Sequence, residues 1–432
     1  MPNKSRSRLP ASRVASGSRR IPARRQSRHP QIGLALAGGG PLGITYEIGA
    51  LNALSESLDG IDFTELGVYV GVSAGSVVAS ALANKIKPRD ICRLFVEGEA
   101  PGADVDAFDP STLLQPAFGE YARRVRELPS ALGDALRGLW ANHADGGWGA
   151  AAARFGRLLP AGLFENANID RHLRALFELP GRTNDFRRLD ATLLLVATDL
   201  DSGTAVEFGS AAFDYVPISR AVQASAALPL LFPPVTIAGR NYVDGALTKT
   251  MHASGAYEAG ARLVFGVNPL VPYNSDAGGR AGRNSHRALL PGGLPLALSQ
   301  TFRALIHSRM RASISHYAKD FPDLDFVVFE PDGSDAELFF TNIFSYASRR
   351  RLCEHAYQQT RANLLARRDE LAPILARHRI GLRLDVLRDG DRILVAGRSV
   401  RMRPELSVIR ELEDCLAGLA DSLNLHRGAA TQ

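Results

Sequence analysis

Residues 31–43 read QIGLALAGGGPLG, a short apolar run that ends in three successive glycines. An apolar run of this length bounded by glycine is typical of a buried β-strand. Apolar residues then recur at helical spacing from Ile44 to Leu58 and predict a helix. A second apolar run, residues 68–72 (VYVGV), leads through Ser73 into small residues that predict another helix. Strand, glycine loop, helix, strand, tight turn and helix in this order predict a parallel α/β sheet.

Five further segments extend this predicted sheet. Residues 192–198 (TLLLVAT) indicate a third buried strand. Residues 235–237 and 242–244 flank a four-residue turn and predict a hairpin. Residues 262–267 and 325–329 are additional strand candidates, so the sheet is expected to draw on most of the chain.

The domain organisation follows from local composition. Residues 1–30 are rich in Ser, Arg and Pro and predict a disordered tail. Residues 31–350 form the predicted main domain, with helical insertions over 101–160 and a long polar loop over 272–295. Residues 351–432 predict a mostly helical C-terminal extension.

The positive charge of the chain is concentrated in the tail. The formal net charge is +6, from 51 Lys+Arg against 45 Asp+Glu. Residues 1–30 carry nine basic and no acidic side chains, which leaves −3 for the remainder. Because residues 31–432 are nearly neutral, the net charge gives no reason to predict a nucleic-acid partner. The tail is a candidate contact for an anionic membrane, with a solvated extension or an organellar transit peptide as alternatives.

Composition excludes several other classes of protein. A hydrophobic content of 45% supplies a large core, and no run of about 18 apolar residues predicts a transmembrane helix. Cys92, Cys353 and Cys415 lie too far apart to indicate a zinc site and fit a reducing compartment, so a cytoplasmic protein is predicted. Apolar residues at helical spacing from Leu298 to Tyr317 predict a helix. Its Arg and His residues also fit a membrane-surface helix, but packing against the core is favoured.

A GxSxG pentapeptide occupies residues 71–75 (GVSAG). Gly71 and Gly75 allow the chain to turn sharply from strand to helix, which exposes the Ser73 hydroxyl at the end of the sheet. The following helix also directs the positive end of its dipole toward that hydroxyl. The pattern therefore indicates a nucleophile, and a plain turn that happens to contain serine is the alternative.

The glycine loop before the first helix allows three interpretations. Gly38, Gly40 and Gly43 fit the GxGxxG pattern of dinucleotide-binding folds, but the next strand does not end in the acidic residue that holds the ribose. Pro41 also removes one amide from a phosphate cradle. A loop that only caps the helix is a second interpretation. We favour the third, an oxyanion hole beside Ser73.

A nucleophilic serine requires a base, and Asp244 is the strongest candidate. It ends the predicted hairpin, and Gly245 permits a turn that would expose its carboxylate. Burial would raise its pKa enough for it to accept a proton near neutral pH. His252, together with Asp199, follows Ser73 in an order that also allows a Ser–His–Asp triad.

Taken together, the motifs at residues 38–43, 71–75 and 244–246 resemble those of the patatin-like phospholipase family. Residues 197–206 and 221–234 resemble the segments that lie between the last two of these motifs in that family. The resemblance spans about residues 31–270. It implies a three-layer α/β/α fold with a mostly parallel central sheet, lipid ester substrates, and neither a cofactor nor a metal.

The resemblance also implies a role for each motif residue. Ser73 would be the nucleophile and Asp244 the proton acceptor of a Ser–Asp dyad without histidine. The oxyanion-hole motif would comprise Gly38, Gly39, Gly40, Pro41, Leu42, Gly43 and Ala74, and the turn glycines would be Gly71, Gly75 and Gly245. Leu42 stands where the family usually has Arg or Lys, which weakens the expectation of a phospholipid headgroup preference.

The predicted function is that of a serine-dependent lipid acyl hydrolase. Its activity would be that of a phospholipase A, a lysophospholipase or a general esterase, and it would proceed through an acyl-enzyme. The alternatives are a non-catalytic lipid-binding scaffold of the same fold, a Ser–His–Asp esterase that uses His252, and a nucleotide-dependent oxidoreductase. The missing ribose acid disfavours the last of these.

Overall fold

The computed structural model describes residues 27–100, 162, 164–229, 231–272, 293–333, 335 and 346–395. The predicted basic tail, the insertion within residues 101–160 and the loop over 272–295 lie wholly or largely outside these ranges, as does the end of the predicted C-terminal extension. The chain divides into two compact units, residues 1–392 and 393–432. All elements described below belong to the first unit.

The strands include all seven segments of residues 31–350 that the sequence predicted as strands. In chain order they are β1 (His29–Leu36), β2 (Leu58–Asp59), β3 (Leu66–Val72), β4 (Thr192–Asp199), β5 (Thr204–Phe208), β6 (Val235–Ile237), β7 (Arg240–Asp244), β8 (Leu263–Val267), β9 (Asp325–Phe329) and β10 (Gly381–Leu382).

The α-helices connect these strands and follow them. In chain order they are α1 (Gly40–Ser57), α2 (Ala74–Ala83), α3 (Pro88–Cys92), α4 (Ala167–Phe177), α5 (Ile218–Ser225), α6 (Ala253–Glu258), α7 (Gly293–Asp320), α8 (Tyr346–Ala366), α9 (Arg368–Arg377) and α10 (Leu384–Arg388). A π-helical turn, Arg93–Glu97, continues α3, and short 3₁₀ turns occupy Phe186–Arg188 and Gly245–Leu247.

A central sheet organises the described part of the chain. Its strand order is β6-β7-β4-β3-β1-β8-β9, and β5 also pairs with β4. The pairs that β1 forms with β3 and β8, β3 with β4, and β8 with β9 are parallel. The pairs of β4 with β5 and β7, and of β6 with β7, are antiparallel. The predicted hairpin and the mostly parallel sheet are therefore confirmed.

Helices cover both faces of this sheet, because the parallel strands are apolar on both sides. On one face, Ala35, Val70 and Leu194 pack with residues of α6 and with Met310 of α7. On the other face, Leu36 lies so close to α2 that a Cβ on Gly75 would be 2.6 Å from its own Cβ. The predicted three-layer α/β/α fold is thus confirmed.

The helix predicted from Leu298 to Tyr317 lies within α7. Met310 is buried in the core cluster, Ile306 packs against that cluster, and Leu305 is 57% exposed. These positions agree with a helix that packs one side against the core. No helix in the described ranges combines the length and the hydropathy that a membrane-spanning helix requires.

Helix α8 packs closely against α1. A Cβ on Gly49 of α1 would lie 2.3 Å from the Cys353 carbonyl oxygen, so only glycine permits this approach. Cys353 and Tyr357 of α8 are fully buried at this interface. Cys92 and Cys353 are both free thiols.

Candidate active site

Ser73 occupies the sharp turn between β3 and α2. Its backbone adopts φ 52° and ψ −119°, a left-handed conformation that is strained for a residue with a Cβ. A Cβ on Gly71 would lie 2.6 Å from Ser76 Cα, so the first glycine of the motif is required for the turn to close. Gly75 has the corresponding role against Leu36. The sequence motif therefore produces the predicted turn, with Ser73 at its apex.

The register of the sheet brings Asp244 to Ser73. On β4, Val196 pairs with Val72 of β3, and the next residue, Ala197, pairs with Asp244 of β7. Because β3 runs parallel to β4 and β7 runs antiparallel to it, the two strands approach each other along β4. Because Val72 and Asp244 pair with adjacent residues of β4, the end of β3 meets the end of β7. This places Ser73, which follows Val72, next to Asp244.

Ser73 and Asp244 share a buried hydrogen bond. Ser73 Oγ donates to Asp244 Oδ2 at 2.5 Å, and the Ala246 N–H donates to Asp244 Oδ1 at 2.8 Å. Burial raises the pKa of Asp244 from 3.8 to about 6, although the hydrogen bonds from Ser73 and Ala246 oppose the rise. At pH 7 the carboxylate is therefore ionised, yet it is a stronger base than an exposed aspartate.

The glycine loop lies directly beside this pair. A Cβ on Gly38 would be 3.1 Å from Ser73 Cβ, so a larger residue would crowd the hydroxyl. Gly40 has φ 59° and begins α1. The described residues supply no backbone acceptor for the N–H groups of Gly39, Gly40 and Ala74.

The other members of the predicted oxyanion-hole motif shape the loop. Gly43 donates its N–H to Gly39 O at 3.0 Å, and Pro41 has no N–H. Leu42 lies in the first turn of α1. A Cβ on Gly43 would approach Ala74 Cβ at 3.3 Å, so the glycine permits the close packing of α1 on α2.

An apolar pocket of about 100 Å³ opens onto Ser73 and Asp244. His172 of α4 is the one further titratable side chain among its described lining residues. The remaining lining residues are Gly40, Pro41, Ile44, Ala74, Val77, Phe95, Ile169, Leu173, Ala226, Leu228, Leu231 and Phe232. A wall of this composition accommodates a hydrocarbon chain far better than a charged group.

His252 is hydrogen-bonded to residues other than Ser73. Its Nε2 pairs with Glu207 Oε1 at 2.6 Å, and its Nδ1 lies 3.4 Å from Ser254 Oγ. The hydrogen bond from His252 lowers the pKa of Glu207. Asp199, the proposed third member of a triad, instead binds Arg240 at 2.7 Å. In the described residues, His252 and Asp199 are therefore not assembled with Ser73. No group of His, Cys, Asp and Glu side chains in these ranges could hold a metal ion.

Sequence reasoning missed two features of the site. The first is the pair His172 and Leu173, which α4 brings to the pocket beyond the residues 101–170 that were expected to form its wall. The second is Ser225, which accepts a hydrogen bond from the Ser73 N–H at 2.8 Å. Its position in a segment that resembles a family motif was the only signal that could have drawn attention to it.

The chain is similar to solved structures of two bacterial proteins, VipD and ExoU. VipD from Legionella pneumophila is 17% identical, with 79% of this chain and 68% of VipD covered at a TM-score of 0.35. The type III effector ExoU is 17% identical, with 79% of this chain and 54% of ExoU covered at a TM-score of 0.31. Full-length ExoU from Pseudomonas aeruginosa in complex with SpcU is 16% identical, with coverages of 66% and 53% and a TM-score of 0.25.

Comparison at the level of sequence families is more informative. No curated protein matches the chain. Residues 34–257 match the model of the patatin-like phospholipase family, and this region is more than half of the chain. It contains the glycine loop, the GxSxG turn and the aspartate at the end of β7. The chain therefore belongs to the patatin-like phospholipase family.

Proposed function

We propose that the protein is a lipid acyl hydrolase in which Ser73 is the nucleophile and Asp244 is the proton acceptor. The hydrogen bond of 2.5 Å between Ser73 Oγ and Asp244 Oδ2, at the base of an apolar pocket, carries this proposal. A serine hydroxyl needs a base within hydrogen-bonding reach, and Asp244 meets that requirement directly. Membership in the family supports a lipid substrate.

The first half of the proposed reaction forms an acyl-enzyme. Ser73 Oγ attacks the ester carbonyl as its proton passes to Asp244 Oδ2. Negative charge then develops on the carbonyl oxygen, where the N–H groups of Gly39, Gly40 and Ala74 are proposed to stabilise it. The N-terminal ends of α1 and α2 add favourable dipoles.

Cleavage of the ester C–O bond completes the acyl-enzyme, and hydrolysis then releases the acid. Asp244 returns its proton to the departing alcohol, so the carboxylate is free to act again. A water molecule then takes the place of the alcohol, transfers a proton to Asp244 and attacks the acyl carbonyl. Collapse of the intermediate returns the proton to Ser73 Oγ and releases the fatty acid.

The pocket supports an acyl chain as the part of the substrate that is recognised. Ile44, Val77, Phe95 and Leu173 line it, and burying each methylene of a chain contributes about 0.8 kcal/mol. The substrate is thus proposed to be a phospholipid, a lysophospholipid or another long-chain ester. The basic tail remains the proposed contact with an anionic membrane surface of the cytoplasm.

An ester panel tests this function. We expect turnover of nitrophenyl esters to increase with acyl length, and phospholipid vesicles to release free fatty acid. Covalent labelling of Ser73 by a fluorophosphonate, mapped by mass spectrometry, would separate an enzyme from a lipid-binding scaffold. Binding of vesicles without either turnover or labelling would support the scaffold instead.

The pH dependence should report the ionisation of Asp244. Only the carboxylate can accept the Ser73 proton, so kcat/KM should be level above about pH 7 and fall as the pH drops through about 6. Below that midpoint we expect a fall of about tenfold per pH unit. The measurement is kcat/KM on a soluble ester between pH 4.5 and 9. A profile without an acid limb in this range would contradict the assignment of Asp244 as base.

Substitution of His252 separates the dyad from the triad. His252→Asn suits the positive φ of 51° at this position, since asparagine tolerates that conformation. Because His252 is paired with Glu207, we expect kcat/KM to stay within about threefold of the wild-type value and the acid limb to persist. A loss of more than 100-fold in a folded variant would restore the triad. Thermal denaturation of the same samples provides the control for folding.

A further inference from the structure

Ser225, the last residue of α5, has a fully buried hydroxyl that bridges two neighbouring strands. It accepts the Ser73 N–H at 2.8 Å and donates to Val196 O at 2.5 Å. The pairing of β3 with β4 ends at Val72. At the next residue, Ser73, the Ser225 hydroxyl takes the place of a direct hydrogen bond between the two strands. The hydroxyl therefore satisfies the buried Ser73 N–H and is itself satisfied by Val196 O.

The bridge acts on a strained residue. Ser73 holds φ 52° and ψ −119°, and such conformations persist only where the surroundings impose them. The Ser73 N–H belongs to the same peptide unit that sets φ, so a hydrogen bond to it opposes relaxation of the turn. Relaxation would move Oγ away from the hydrogen-bonded position beside Asp244.

The residues that follow Ser225 also hold Asp244. The Asp244 N–H donates to Ala227 O at 3.0 Å, two residues beyond Ser225. In addition, Val196 O lies against Gly245, where a Cβ would come within 2.1 Å of that oxygen. One short segment, Ser225–Ala227, thus contacts the backbone of both residues of the pair. The segment therefore links the two backbones through one hydrogen bond to each.

We propose that Ser225 is a positioning residue for ester hydrolysis, which holds the strained Ser73 turn so that Oγ faces both Asp244 and the substrate. This inference rests on the proposed roles of Ser73 and Asp244. Ser225 itself does not touch the reacting atoms, so it should affect the rate of reaction at Ser73 more than the binding of the acyl chain.

The test compares Ser225→Ala with Ser80→Ala. Ser80 is also fully buried, and its hydroxyl donates to a backbone oxygen, Ser76 O, at 2.6 Å. Both variants lose one buried hydroxyl, but only Ser225→Ala removes the hydrogen bonds to the Ser73 N–H and Val196 O. We expect kcat on a soluble ester to fall about 10- to 100-fold in Ser225→Ala with KM within about threefold, and to stay within about twofold in Ser80→Ala.

Fluorophosphonate labelling distinguishes misplacement from unfolding. In Ser225→Ala the labelling rate should fall by the same factor as kcat, while the final extent of labelling still reaches one per chain. Partial unfolding would lower the final extent instead. Where Ser225→Ala does not fold, Ser225→Cys retains a weak hydrogen-bonding atom of similar shape, and its kcat and labelling rate should fall by a smaller factor.

Each outcome bears on a separate claim. Wild-type kcat and labelling rate in folded Ser225→Ala, or in Ser225→Cys if only that variant folds, would overturn the positioning role while leaving the proposed function intact. A lower final extent of labelling in Ser225→Ala, at an unchanged labelling rate, would assign Ser225 a purely structural role. Failure of the wild-type protein to label at Ser73 would overturn the proposed function and this inference with it.

Discussion

Ser73→Ala should abolish acyl hydrolysis, with kcat/KM lower by about 10³-fold or more. The substitution removes the only oxygen that the proposed mechanism acylates, and the remaining amide donors cannot form a covalent intermediate. Alanine keeps the Cβ of serine, so the strain at φ 52° is unchanged and the fold should be retained. The measurements are kcat/KM on a soluble ester, release of fatty acid from vesicles, and fluorophosphonate labelling.

A second buried serine, Ser80, provides the control for the loss of activity in Ser73→Ala. Ser80→Ala loses a buried hydroxyl in α2, the helix that follows Ser73, and should retain turnover. Residual hydrolysis by Ser73→Ala above about a tenth of the wild-type rate would show that another group attacks the ester. Site mapping of the labelled wild-type protein would then identify it.

Asp244→Asn should produce the second large loss, again about 10³-fold in kcat/KM, because an amide cannot accept the Ser73 proton. Asparagine is nearly isosteric with aspartate. Its oxygen can accept the Ala246 N–H, and its amide group can donate to Ser73 Oγ, so the surrounding hydrogen bonds are kept with one of them reversed. Activity should therefore disappear without collapse of the site.

The same substitution should increase stability at neutral pH. Burial raises the folded-state pKa of Asp244 from 3.8 to about 6, so between these values the folded protein binds more protons than the unfolded chain. Wild-type stability is then lost as pH rises through this window, whereas the neutral asparagine has no such dependence. Asp244→Asn should therefore have a higher Tm than the wild-type protein at pH 8, and this difference should shrink toward pH 4. A lower Tm for Asp244→Asn at pH 8 would contradict the desolvation argument.

Much of the architecture was accessible from local sequence patterns. Apolar runs at residues 31–37, 68–72 and 192–198 became neighbouring strands of the sheet because each is buried on both faces. The GxSxG glycines specified the turn at Ser73, since no larger residue fits at Gly71 or Gly75.

Other features depend on contacts between distant parts of the chain. The proposed role of Ser225 depends on three separate segments that meet at its hydroxyl. Apart from its place in a segment that resembles a family motif, nothing in its own neighbourhood indicates this role. The pocket wall from Ile169 and Leu173 likewise depends on where α4 docks. His252 is an informative counterexample. Its place in the chain order is compatible with catalysis, whereas in the fold the buried His252 ring is hydrogen-bonded to the partly exposed Glu207.

The central position of β1 has a consequence for biosynthesis. This strand emerges first among those described, yet one of its two neighbours, β8, follows roughly 230 residues later. At roughly 5–20 residues per second, a ribosome needs about 10–45 s to supply that partner. Ser73 and Asp244 are themselves 171 residues apart. Throughout this interval the nascent chain carries an apolar strand with one unpaired edge, which is the kind of surface through which incompletely folded chains aggregate.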